Sequence, residues 1–177
     1  MAKRRIFAKS EILSVLSVLD REYKKVYTIS TPSNIRLMKA YAKMAVIASG
    51  GWVEDGLKDL MDVSISRLKS TKNQKKLQDM AESIHGFSYP WHFSKGVIMT
   101  FGAQGFEFIE LSVGDPDISR LSSTLGNLKT WRDLAAHSHA TIIKCDPSRV
   151  IMEMNLIFPI LKKIETSARA YKKKHFR

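Results

Sequence analysis

DPSRVIMEMNLIFPILKKIETSARAY, running from Asp146 to Tyr171, carries the clearest periodicity in the chain. Asp146-Pro147 reads as an N-cap followed by a proline in the first helical turn. Val150, Met154, Ile157, Leu161, Ile164, Ala168 and Tyr171 then recur at alternating steps of four and three, the signature of one apolar helix face. Such a seam suits antiparallel packing or a dimer. Pro159 lies inside it and, having no N–H to donate, is expected to kink the helix.

Working outward, Asp115-Pro116 repeats the start signal, and Ile118, Leu121, Leu125, Leu128 and Ala135 carry a stripe to about Ala140. Residues 93–111 read two ways. Val97, Ile98 and Phe101 suit a helix, whereas Phe106 to Leu111 has the aromatic content and partial alternation of a strand. Asn73 to Ile84 predicts a short polar helix ended near Gly86. Thr31-Pro32 predicts another start, followed by Leu37, Tyr41, Met44, Ala48 and Trp52, then Val53, Leu57, Leu60 and Leu68. Ser49-Gly50-Gly51 either splits residues 34–70 into two helices or thins one long helix so that another backbone approaches closely. Ile12, Val15, Leu16, Leu19, Tyr23 and Val26 mark a first helix from about Ser10 to Tyr27. The expected architecture is all-α, an antiparallel bundle of four or five principal helices. Residues 1–171 form a single helical domain and 172–177 a basic tail.

The 177 residues include 29 Lys+Arg against 17 Asp+Glu, a formal charge of +12. That surplus favours polyanions, chiefly nucleic acid or an anionic membrane surface, while a solvated lysine-rich face produces the same count. A hydrophobic share of 44% is that of a folded globular chain. The single cysteine, Cys145, excludes an internal disulfide framework and a four-cysteine zinc module. No stretch approaches the roughly 20 apolar residues of a membrane span. Glu11, Ser14 and Ser17 interrupt the run behind the basic start, so no signal peptide is expected, and a cytoplasmic location with no membrane partner follows.

Neither a Walker phosphate loop nor a G-x-S-x-G elbow is present. His137 and His139 point about 200° apart on a helix, so no metal and no cofactor are expected. Arg132 and His137, four residues between them, are a different matter. A guanidinium clamps a phosphate and offsets transition-state charge. An imidazole moves protons near neutral pH, activating a ribose 2′-hydroxyl or protonating the leaving oxygen. Arg132 with His139 and Arg169 with His175 have comparable spacing, the last pair lying in the basic tail. Spacing alone favours the plainer reading, a partly exposed arginine and a surface histidine. Trp131 can stack on a base or pack inward, and His139 is either a solvated helix residue or a second substrate contact.

The run Leu125-x-x-Leu128-Lys129-x-x-Arg132-Asp133-x-x-Ala136-His137-Ser138 resembles the signature helix of the HEPN superfamily (higher eukaryotes and prokaryotes nucleotide-binding). There R-x4-6-H often has a polar residue after the arginine and a small one before the histidine. Trp52-Val53-Glu54-Asp55-Gly56-Leu57-Lys58-Asp59 resembles the family's E-x3-K segment, with Asp59 standing where a basic residue often follows. Among branches, the pattern is similar to HEPN domains of RNA-ligase/phosphoesterase defence systems and related stand-alone nucleases.

The resemblance implies a metal-independent endoribonuclease of toxin or antiviral type, leaving a 2′,3′-cyclic phosphate at a site shared between two protomers of a homodimer. A cognate antitoxin or defence-system partner protein is a further implied partner. In this reading His137 shuttles protons, Arg132 clamps the phosphate, Asp133 orients one of them and Glu54 is a polar neighbour. Lys58, Trp131 and His139 contact the RNA. Glu54 alternatively pairs with Lys58 as a surface i,i+4 ion pair. The competing reading is a non-catalytic module of the same shape that holds RNA or a protein.

Overall fold

A computed structural model describes residues 6–29, 31–137 and 145–175. Within them the chain is all-α, with no strand. Six helices follow one another: α1 (Lys9–Tyr27), α2 (Pro32–Ile65), α3 (Thr71–Glu82), α4 (Ser94–Val113), α5 (Asp115–His137) and α6 (Pro147–His175). A π-helical turn, Tyr89–Phe93, leads into α4. Five of the six helices, α1, α2, α4, α5 and α6, are the principal helices expected, and α3 is the short polar helix. No helix among the described residues is long and apolar enough to cross a membrane.

The centre of the bundle is α6. Every member of its stripe, from Val150 to Tyr171, is buried, because α1, α2, α4 and α5 all pack against it. The seam is thus filled within one chain rather than left for a second copy. The helix continues through Pro159. Pro159 and Asn155, whose carbonyl loses its donor, both lie on the exposed side, where water can supply the missing bond.

Residues 32–65 form one helix, not two. Thr31 caps it, its Oγ1 accepting from the Asn34 N–H at 3.2 Å, with Pro32 in the first turn. The buried face of its first half differs from the expected stripe. Leu37 and Met44 are exposed, while Ala42, Ala45, Val46, Ser49 and Gly50 are buried. Small residues let neighbouring groups come close, and a count of large apolar side chains overlooks them.

At Gly50 the close neighbours are side chains rather than a second backbone. A Cβ there would lie 2.8 Å from Phe87 Cε1 and 3.2 Å from Arg132 Cδ, whereas one at Gly51 would meet nothing within 4 Å. Gly50→Ala is therefore expected to lower stability by about 1–3 kcal/mol through overpacking. Gly51→Ala should raise it by about 0.5–1 kcal/mol through helix propensity. Urea denaturation of the two variants checks the opposite signs.

Residues 94–113 are helical throughout except at Gly102 (φ 75°, ψ 171°), where the axis kinks. Gly105, Ile109 and Val113 are buried at steps of four, and Leu111 is left exposed. The strand-like alternation of Phe106 to Leu111 is therefore part of a helix face. Tyr89 anchors this helix by donating its O–H to Glu110 at 2.7 Å. On α5, Leu121, Leu125, Leu128 and Ala135 are buried as the stripe requires. His137 is the last residue of that helix, and residues 138–144 lie outside the described residues.

Candidate functional site

Arg132 leaves α5 near its C-terminal end and reaches across to α2. Its Nη1 donates to Glu54 Oε1, and its Nη2 to Asp133 Oδ1 at 3.4 Å. The guanidinium carbon lies 4.9 Å from the ring centroid of Phe87, a cation–π contact made possible by the missing side chain at Gly50. Asp133 is shared, since Lys129 Nζ donates to its Oδ2 at 2.5 Å. That hydrogen bond, then the charges of Lys129 and Arg132, hold the Asp133 carboxyl below the ordinary carboxylate range. Carboxylates thus fix Arg132 from α2 and from its own helix, while an aromatic ring supports its face. The Arg132 side chain remains 27% exposed, and these contacts use only part of its N–H donors.

His92 belongs to the same electrostatic cluster. It sits in the π-helical turn with its Nδ1 hydrogen-bonded to Ser88 Oγ at 2.7 Å. A Cβ at Gly86 (φ 130°) would come within 2.6 Å of its Nε2. Burial pushes the His92 pKa down. The charge of Glu54 opposes this, and those of Arg132, Lys129 and Lys95 add to it. The folded state therefore disfavours protonated His92. Its contribution to stability is present above the unfolded value of about 6.5 and is lost as pH falls below it, because the unfolded chain then binds more protons. Stability should fall between pH 7 and pH 5, and His92→Gln should flatten that slope in urea titrations at each pH.

Of the residues read from the sequence, Arg132, Asp133 and Glu54 meet in space. Glu54 pairs with Arg132, not with Lys58 as a surface i,i+4 pair. Lys58 is half-buried. Trp131 is partly buried and packs against the core, which favours the packing use of its indole. The backbone of His137 lies about 7.5 Å further along α5 than that of Arg132. His139 lies outside the described residues. Phe87, His92 and Lys129 were missed. The glycine pair in α2 was the one signal of a close approach at this place.

Among the described residues no group of three or more His, Cys, Asp or Glu is placed to hold a metal ion. Cys145 is buried, and burial together with the Asp146 charge pushes its thiol up to about 12, so it is a poor nucleophile. Set against protein-family models, curated proteins and solved structures, the chain gives no match in any of the three comparisons.

Proposed function

We propose that the chain is a metal-independent endoribonuclease of the HEPN type, acting as a toxin or antiviral effector in the cytoplasm. The observation that carries this reading is the Arg132 arrangement. This guanidinium is held in place by Glu54, Asp133 and the Phe87 ring and still reaches solvent. The N–H groups not used in these contacts suit the non-bridging oxygens of a phosphodiester.

In the proposed reaction His137 takes the proton from a ribose 2′-hydroxyl. The 2′-oxygen bonds to phosphorus as the P–O5′ bond breaks, and a protonated imidazole gives the leaving oxygen its proton. The products are a 2′,3′-cyclic phosphate and a 5′-hydroxyl, with no water consumed. Arg132 and His137 are separated by about 140° around α5, so a second copy of the chain is the simplest source of the complementary group. Met44 and Ile47 on α2 and Leu134 on α5 are exposed apolar side chains on two helices that pack together. They support burial against a second copy, or against an antitoxin that competes with it.

A non-catalytic RNA- or protein-binding adaptor is the second reading, favoured by the carboxylates already bound to Arg132. One experiment separates the two. Purified chain incubated with single-stranded RNA in EDTA should cut it if the nuclease reading holds. The adaptor should retain intact RNA in a salt-sensitive way, and removing residues 172–177 should weaken that retention.

A further inference from the structure

Beside the Arg132 cluster lies a cleft of about 380 Å³ between the end of α3, the π-helical turn and the start of α4. Its walls include Trp91, His85, His92, Lys95, Met80 and Met99. Trp91 is 76% exposed, an unusual position for an indole. The turn that carries it is well anchored. The Ser88 carbonyl accepts from both the His92 and the Phe93 N–H, at 3.0 and 3.2 Å. The flanking Tyr89 and Phe93 rings are buried and stacked, with centroids 5.6 Å apart. Trp91 is thus presented outward by a fixed turn.

Charge and apolar surface are arranged around it in a consistent way. Lys95 is exposed and lies four residues, about one helical turn, beyond Trp91. Met80 and Met99 supply polarisable, adaptable apolar surface. Along α3, Lys72 and Lys76 precede Met80 at steps of four, so a basic ridge runs toward the cleft. His92, in the cleft wall, is near enough to Glu54, Arg132 and Lys129 to feel their charges, so the cleft and the proposed cutting site share this residue as a neighbour. An exposed aromatic plane beside cations is the combination that binds unpaired bases, since stacking is indifferent to base identity and the cations meet the phosphates.

We propose that this cleft holds one unpaired base of the RNA strand whose scissile phosphate lies at Arg132, with Trp91 as the stacking platform and Lys95 contacting the neighbouring phosphate. The inference rests on the ribonuclease reading for its ligand class, and it moves the stacking role from Trp131 to Trp91.

The test uses the full chain and a short fluorescein-labelled 2′-O-methyl RNA of mixed sequence, which lacks the attacking hydroxyl and so reports binding apart from cutting. By fluorescence anisotropy, Trp91→Ala should weaken binding on the order of 10-fold, and Trp91→Phe should restore most of it. Lys95→Ala should lower the slope of log affinity against log salt by about 0.7. Binding by a folded Trp91→Ala chain within about two-fold of the unaltered chain, or no binding by the unaltered chain, would overturn the proposal. Trp91-dependent binding by a chain that leaves ordinary RNA uncut would keep the cleft and remove the nuclease reading. Cutting that persists while binding ignores Trp91 would do the reverse.

Discussion

Arg132→Ala is expected to slow RNA cleavage by about 10³-fold, the scale of losing a preorganised donor to developing negative charge. The effect should fall mainly on kcat, because phosphate charge builds up in the transition state while other cations keep holding the strand. Arg132→Lys should not rescue it. An ammonium is a point donor that cannot reach Glu54 and Asp133 together and still offer N–H groups to a phosphate. Stability should also change. Glu54 is half-buried, and losing its partner leaves a carboxylate poorly satisfied, at a cost of about 1–3 kcal/mol. The Arg132→Ala/Glu54→Ala double variant should recover part of that cost, since it removes the orphaned charge. Cleavage rates and urea midpoints of the four chains check both statements.

Phe87→Ala should be the most destabilising single change near the site, at about 3–5 kcal/mol. Phe87 is 1% exposed and fills the space beside Gly50. Its loss opens a cavity against α2 and removes the ring beneath the guanidinium at once. Phe87→Leu keeps much of the apolar volume and should cost roughly half as much. Having no ring face, it should still slow cleavage. Denaturation midpoints measured beside cleavage rates separate the two roles, because a packing role alone would leave the rate of the folded Phe87→Leu chain unchanged.

The parts of the fold that could be read from the chain are those where large apolar residues repeat on one face. The Val150–Tyr171 stripe and the Leu121–Leu128 stripe are of this kind, and both are buried. The first half of α2 was misread because Ala42, Ala45, Ser49 and Gly50 bury it, and small residues contribute little to hydrophobic periodicity. Phe106 to Leu111 was ambiguous because its aromatics serve a helix face that is identified only by what packs on it. At the site, Arg132 was legible through its spacing to a histidine, and Asp133 and Glu54 only through the resemblance of their segments to HEPN motifs. His92 and Phe87 were not. They lie in or just before the π-helical turn, some 40 residues before Arg132, and only the tertiary packing of this stretch against α5 brings them to it.

The most direct test of the central claim is the chemical nature of the RNA ends. Purified chain is incubated with a single-stranded RNA in EDTA, and the fragments are identified by mass spectrometry, alongside His137→Ala. Fragments ending in a 2′,3′-cyclic phosphate, matched by 5′-hydroxyl ends and absent with His137→Ala, are the predicted result. Intact RNA, ends carrying a 5′-phosphate, or undiminished cutting by His137→Ala would contradict it.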